Sequence, residues 1–273
     1  MKTKKWITYT IYGILITVIF LYVRFPSDNA ANYIRSIVVA GNPNVVLSFD
    51  SASPSLPPGI KLGNVEIGFR DRPDLVFRTD TLKIRPAIAS LLSGKLSLLL
   101  NADVYGGNMR ADINFANRFS TEGPVRINTG FSGINLGKCS CLKTATGRRI
   151  DGILSGSLSY NGRWNRITSG TGSARFALLE GSVQLLRDIF SLGELDFDKM
   201  EADITLKNRT LKITSLEMTG KQLNGSFSGN IFLNKNIMRS RLAIKGNMKI
   251  HAMNGDISTS LKGTIANPVP RFM

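Results

Sequence analysis

Hydrophobic and polar positions follow two different periods along this chain, and the change falls near residue 45. Before it, residues 6–23 (WITYTIYGILITVIFLYV) are mostly apolar and carry no charge. At ~1.5 Å per residue, such a helix is at the lower end of what crosses a hydrocarbon core. Lys2, Lys4 and Lys5 precede it and only Arg24 follows closely. The positive-inside rule then predicts a cytoplasmic tail (residues 1–5), a transmembrane helix (residues 6–24) and an exported remainder. Trp6, Tyr9, Tyr12 and Tyr22 fall near the ends of the span, at headgroup depth. A cleaved signal peptide is the rival reading, but its apolar core is shorter, ~7 to 15 residues, and needs a small-x-small site where this chain has Asp28 before Ala30. Residues 25–44 predict a membrane-proximal helix and linker, capped by Ser27 and stopped by Gly41, with Pro43 beyond.

From Val45 onward the period is two. VVLSFDSA and IKLGNVEIGF flank the turn-rich SPSLPPG, and DLVFRTDTLKI follows RDRP. RPAIASLLSG predicts one or two helical turns between Pro86 and Gly94. KLSLLLNADVYGGNMRADINF predicts two strands joined around Tyr105-Gly106-Gly107-Asn108, since a tight hairpin needs positive φ at its corner. Farther on, Ala202, Ile204 and Leu206 alternate with Asp203, Thr205 and Lys207, and a turn at Asn208-Arg209 starts the return strand. The parity switch between Ile213 and Leu216 predicts a bulge. Gly225, Phe227, Gly229, Ile231 and Leu233 share one face, where glycines permit close approach of another layer or a curved sheet. One segment breaks the pattern: residues 182–193, SVQLLRDIFSLG, predict an amphipathic helix with Val183, Leu186, Ile189 and Phe190 as its stripe.

These units share a grammar without a strict period, which argues against a propeller or fixed-repeat solenoid. The expected fold class is mainly β: one N-terminal transmembrane helix, then an extended, curved antiparallel β-sheet or sandwich with a few short helices. The β domain runs from 45 to 273, with a subdivision near 140–150 left open. An unclosed sheet leaves edges for strand addition and an apolar trough that suits an acyl chain.

A formal charge of +16 makes the exported part basic. Such a field favours anionic lipid, lipopolysaccharide, acidic polysaccharide or acidic protein, or it simply solvates outward strand faces; the expected compartment argues against nucleic acid. Cys139 and Cys141 are the only cysteines, and His251 is the only histidine. The C-x-C pair could close a small strained disulfide in an oxidising space, near the upper limit of bridgeable Cα separation, or be incidental, while metal binding would need further ligands. Asp196, Asp198, Glu201 and Asp203 form the densest acidic patch, yet they alternate with Leu195, Phe197 and Ala202 as on a solvated strand. TSGTGS, residues 168–173, lacks the Lys-Ser/Thr of a phosphate loop and reads as a turn. No nucleophile-and-base pair, carboxylate dyad or metal set emerges, so the expectation is a chain that is no enzyme: no catalytic, cofactor-binding or metal residues, and no cofactor.

The N-terminal span, LPPGIKLGNVEI, LKIRPAIASLLSGKLSLLLNADVYGGNMRADI and the closing LKGTIANPVPRF together resemble the type II secretion system protein N family (general secretion pathway protein N), which is related to AsmA-like envelope proteins. The resemblance covers most of the chain; its most specific parts are RPAIASLLSGK, Tyr105-Gly106-Gly107 and GTIANP at 263–268. It implies a single-pass inner-membrane protein with a cytoplasmic N-terminus and a periplasmic AsmA-like β domain. Such a protein would be accessory to export of folded proteins across the outer membrane, with other secretion-system proteins as partners and no catalytic residue. The alternative it carries is an AsmA-like protein that binds or transports phospholipid between membranes. With roughly 14 to 18 strands side by side at ~4.8 Å, the sheet would reach ~70 to 85 Å.

Overall fold

The computed structural model describes residues 2–24, 26–41, 44–116, 123–163, 168–189, 192–234, 236–251 and 256–272. Its helices are α1 (Lys2–Val23), α2 (Ser27–Gly41), α3 (Ile88–Leu92) and α4 (Ser140–Thr146). The first strands are β1 (Val45–Ser48), β2 (Ser51–Ser55), β3 (Gly59–Phe69), β4 (Arg72–Pro86) and β5 (Ser97–Val104). The central ones are β6 (Gly107–Phe115), β7 (Pro124–Asn135), β8 (Ile150–Arg163), β9 (Thr171–Ile189) and β10 (Leu192–Lys207). The last are β11 (Thr210–Thr219), β12 (Leu223–Phe232), β13 (Arg241–Ile250), β14 (Asp256–Thr264) and β15 (Pro268–Phe272).

All of them join one antiparallel sheet in chain order, with β1 and β2 both pairing with β3. Tight corners make this meander possible. Tyr105 and Gly106 between β5 and β6 have φ of 48° and 83°, and Asn208 and Arg209 between β10 and β11 have 49° and 60°. Two left-handed residues in a two-residue loop match the right-handed twist of the flanking strands. The expected bulge is present: pairing shifts between Ile213 and Leu216, so both remain on the same face. Among the described elements, each strand packs against its ladder neighbours, and no second sheet covers the first. The sheet is therefore open, and the sandwich alternative does not hold.

Two expectations are corrected. The described residues of the segment 182–193 are strand and not helix: Ser182, Val183 and Gln184 pair with Asp196, Leu195 and Glu194, and Ile189 pairs with Leu192. Strand pairing with β10, joined at Ser182 and Val183 by pairing with β8, overrides the weak local preference for a helix. The reach is also shorter. Fourteen strands lie on the path, and thirteen gaps of ~4.8 Å give roughly 62 Å.

Helix α1 forms where the sequence predicts a membrane crossing, and its described side chains, such as Trp6, Tyr12 and Phe20, are exposed. Among the described residues no helix is long and apolar enough to cross a membrane. Helix α2 docks on the start of the sheet: Ala31 joins Phe49, Leu62 and Val65 in one core, and the Arg35 guanidinium lies 4.4 Å from the Phe49 ring centroid. A second core gathers Leu178, Phe197, Met218, Leu223 and Ile250 in the later strands. Between and around these cores the surface stays open. The chain exposes 17706 Å², about 1.5 times the ~11,700 Å² expected of a compact protein of its mass.

Candidate functional site

Strand register sorts the side chains into two unlike faces. One row runs through paired positions from β3 to β15: Ile60, Ile84, Leu100, Ala111, Thr129, Leu158, Ala174, Ile204, Ile213, Gly229, Ile244, Leu261 and Pro270. Thr129 is its one polar member. Beside it runs Leu62, Leu82, Ala102, Met109, Phe131, Gly156, Phe176, Ala202, Leu216, Phe227 and Gly246. The period of two puts neighbours along a strand on opposite faces, so these rows make one face apolar along the sheet's length. Most of their members are half-buried, and Leu158 remains 41% exposed.

Large and small residues alternate across this face because rings lie over glycines of their own strand or of a neighbouring one. A Cβ on Gly225 would sit 2.6 Å from Phe227 Cε2, and one on Gly170 would sit 2.5 Å from Tyr160 Cε2. The Phe197 ring occupies the equivalent space over Gly181, and Phe227 also covers Gly246. Rings laid flat keep the face low. A hollow on it, among the described residues, holds about 220 Å³ and is lined by Ile127, Leu158, Tyr160, Ala174, Ile204 and Leu211. That is below the ~300 Å³ of the smallest drug-sized pockets. A ligand here would lie along the strands rather than enter a cavity.

The opposite face is polar. Lys61, Lys83, Asn101, Arg110, Gly130, Ser157, Arg175 and Asp203 make one of its rows. It has the larger hollows, of about 750 and 500 Å³, and Arg110 and Asp112 line both. Ion pairs cross it from strand to strand: Arg78 Nε to Glu66 Oε1 at 2.8 Å and Arg175 Nε to Asp203 Oδ1 at 2.6 Å. The Asp203 hydrogen bond, then its charge, holds the Arg175 guanidinium above its ordinary value.

The sequence candidates for chemistry are held apart, and among the described residues each except Asp198 has a local partner. Cys139 and Cys141 form a disulfide, with Cα atoms 5.2 Å apart, and both are buried. Their segment packs beside Tyr105, whose hydroxyl lies 3.9 Å from Cys141 Sγ and accepts the Arg78 N–H at 3.0 Å. His251 Nδ1 donates to the Lys221 carbonyl at 2.7 Å, which leaves Nε2 to accept from Asn224 Nδ2 at 3.3 Å. Among the described residues no serine or cysteine is a partner of its ring. Glu201 pairs with Lys199 at 2.9 Å, Asp203 with Arg175, and Asp196 accepts from Gln222 Nε2 at 3.3 Å. In TSGTGS, Gly170 packs under the Tyr160 ring and Gly172 pairs with Tyr160, so the glycines make room for a side chain of the protein itself. Among the described residues no group of three or more His, Cys, Asp and Glu is arranged to hold a metal ion.

Sequence reasoning placed an apolar trough on one side and cations on outward strand faces, but it did not single out the ring-over-glycine pairs. The signal was present in the alternation of Phe with Gly, but only the register joins Phe227 to Gly246. No protein-family model matches this chain, and neither a curated protein nor a solved structure matches it.

Proposed function

We propose that the protein is a non-catalytic, inner-membrane-anchored periplasmic component of a type II protein secretion system, acting as a scaffold in the export of folded proteins across the outer membrane. The resemblance of its N-terminal span, its RPAIASLLSGK junction and its closing GTIANP to the protein N family motivates this reading. One structural observation carries it. A helix with exposed apolar and aromatic side chains leads into α2, which docks on the first strands of an open sheet roughly 62 Å long. A helix that exposes Trp6, Tyr9, Tyr12 and Phe20 needs apolar cover, and a bilayer supplies it. With α1 in the inner membrane and its lysines in the cytoplasm, the sheet stands in the periplasm and offers two unlike faces to partner proteins.

The apolar rows, interrupted only by Thr129, favour a second reading, in which acyl chains of phospholipid lie across the strands of that face. The first reading ranks above it because the hollow found among the described residues of that face holds only about 220 Å³.

A strain lacking the gene tests both. Exoproteins trapped in the periplasm behind an outer membrane that still excludes detergent are the expected result. Normal secretion with a detergent-sensitive outer membrane would overturn the secretion reading in favour of the lipid one.

A further inference from the structure

The charge of the chain is unevenly spread. Residues 220–273 contain eight Lys and Arg and one acid, Asp256. Register shows where these cations gather. On the polar face, Lys207, Thr210, Phe232, Arg241 and Thr264 form one cross-strand row, and Lys212, Asn230, Ala243, Lys262 and Val269 form the next. Arg209 sits in the turn that starts β11, and Arg239 in the single 3-10 turn Ile237–Arg239 before β13. All six cations in this corner are exposed, and none of them belongs to an ion pair seen among the described residues. Residues 204–216 and 223–255 contain no carboxylate at all.

Apolar side chains stand among these charges. Phe232 is 48% exposed, Val269 49% and Ile237 60%. The loops that carry them are braced: Ile265 N–H donates to the Ser240 carbonyl, Ala266 N–H to the Met238 carbonyl, and Leu233 N–H to the Arg209 carbonyl. Strand addition does not explain the corner, because Pro268 and Pro270 leave alternate positions of the outer edge of β15 without N–H donors. Exposed cations interspersed with aromatic and aliphatic pegs match an anionic lipid surface: phosphates take the charges while the pegs enter the headgroup layer.

We propose that this corner, at the end of the sheet away from α1, docks on a bilayer surface through phosphate-bearing anionic headgroups. The proposal does not depend on the secretion reading. It separates the chain into a helix-bearing end and a second, reversible contact eight to twelve strands away along the sheet.

The test uses the full chain held in a phosphatidylcholine nanodisc, which shelters α1, and measures its flotation with separate vesicles. Vesicles of equal parts phosphatidylcholine and phosphatidylglycerol should capture it, and pure phosphatidylcholine vesicles should not. Capture should fall as salt rises from about 0.1 M to about 1 M, where the screening length shrinks from about 10 to about 3 Å. A cation near such a surface is worth roughly a fivefold change in partition, so Arg209→Gln, Arg241→Gln and Lys262→Gln together should weaken capture roughly 100-fold. Phe232→Ser with Ile237→Ser should weaken it without changing its salt dependence. Lys61→Gln, Lys83→Gln and Arg110→Gln, on the same face near the other end, should leave it intact. Equal capture by neutral vesicles would overturn the proposal, as would equal loss from the distant triple variant. Saturation by soluble polyglutamate at the same charge concentration would replace the lipid with an acidic protein partner. Salt dependence in the unmutated chain decides the matter even where a variant fails to fold.

Discussion

At the scale of single residues, the apolar face depends on glycines whose missing side chains are replaced by a neighbour's ring. Gly181 and Gly130 make a matched pair for testing this. A Cβ on Gly181 would fall within the Phe197 ring, which is 3% exposed in the larger core, whereas a Cβ on Gly130 meets nothing within 4 Å. Gly181→Ala should therefore cost about 1 to 3 kcal/mol, the usual penalty for overfilling a packed site. Gly130→Ala should be neutral or stabilise by up to about 1 kcal/mol through the unfolded chain. Urea midpoints of the two variants check the contrast, and equal losses would mean that the ring does not depend on its glycine. The disulfide gives a second residue-scale prediction. It closes a loop of only three residues, so the chain-entropy relation assigns it about 1.6 kcal/mol. Oxidised and reduced forms of the same chain should differ by about that amount in denaturant. Cys141, 1% exposed, should be reduced only as fast as its segment opens.

At the scale of elements, most of the strands were legible because their faces alternate, and the hairpin corners were legible because few residue types tolerate two positive φ values in succession. Tyr105-Gly106 and Asn208-Arg209 both form where the sequence puts them. The misread segment shows the limit. Val183, Leu186, Ile189 and Phe190 have helical spacing, yet Val183 lies opposite Leu195 and packs against the Leu178–Phe197 core. A window of twelve residues carries no information about the strand it will meet. A polar clasp holds the same hairpin. Ser182 Oγ donates to Glu194 Oε1 at 2.7 Å, and Arg149 reaches Glu194 at 3.4 Å and Asp151 at 3.3 Å. The Ser182 hydrogen bond, opposed by partial burial and aided by Arg149, holds the Glu194 carboxyl below its usual value. A depressed carboxylate stabilises the fold in full at neutral pH. It loses that contribution as pH falls from the usual glutamate value of about 4.3 through the lower folded one. Glu194→Gln should thus lower the melting temperature at pH 7 and converge with the unmodified chain in acid. A difference that persists undiminished below both values would assign the effect to packing instead.

At the scale of the whole molecule, an open meander behaves differently from a globule, because each strand leans on its two neighbours and there is no shared centre. The two cores lie at different places along the sheet: Ala31, Phe49, Leu62 and Val65 under α2, and Leu178, Phe197, Met218, Leu223 and Ile250 in the later strands. The intervening strands are joined by backbone ladders and a thin apolar face, so stability is close to a sum of local and nearest-neighbour terms, as in repeat proteins. Leu62 is fully buried, and Leu62→Ala should cost the first core about 2 to 5 kcal/mol. In a quasi-one-dimensional fold that loss stays local. Amides of β3 and β4 should then exchange at least tenfold faster, while those of β11, β12 and β13 keep their protection. Hydrogen exchange resolved by segment reads both ends in one experiment. Uniform acceleration from β3 to β13 would mean that the sheet unfolds as one unit and that the two cores are energetically coupled through it. Retained protection in the later strands would mean that either end can yield while the other holds, as the proposed scaffold role requires.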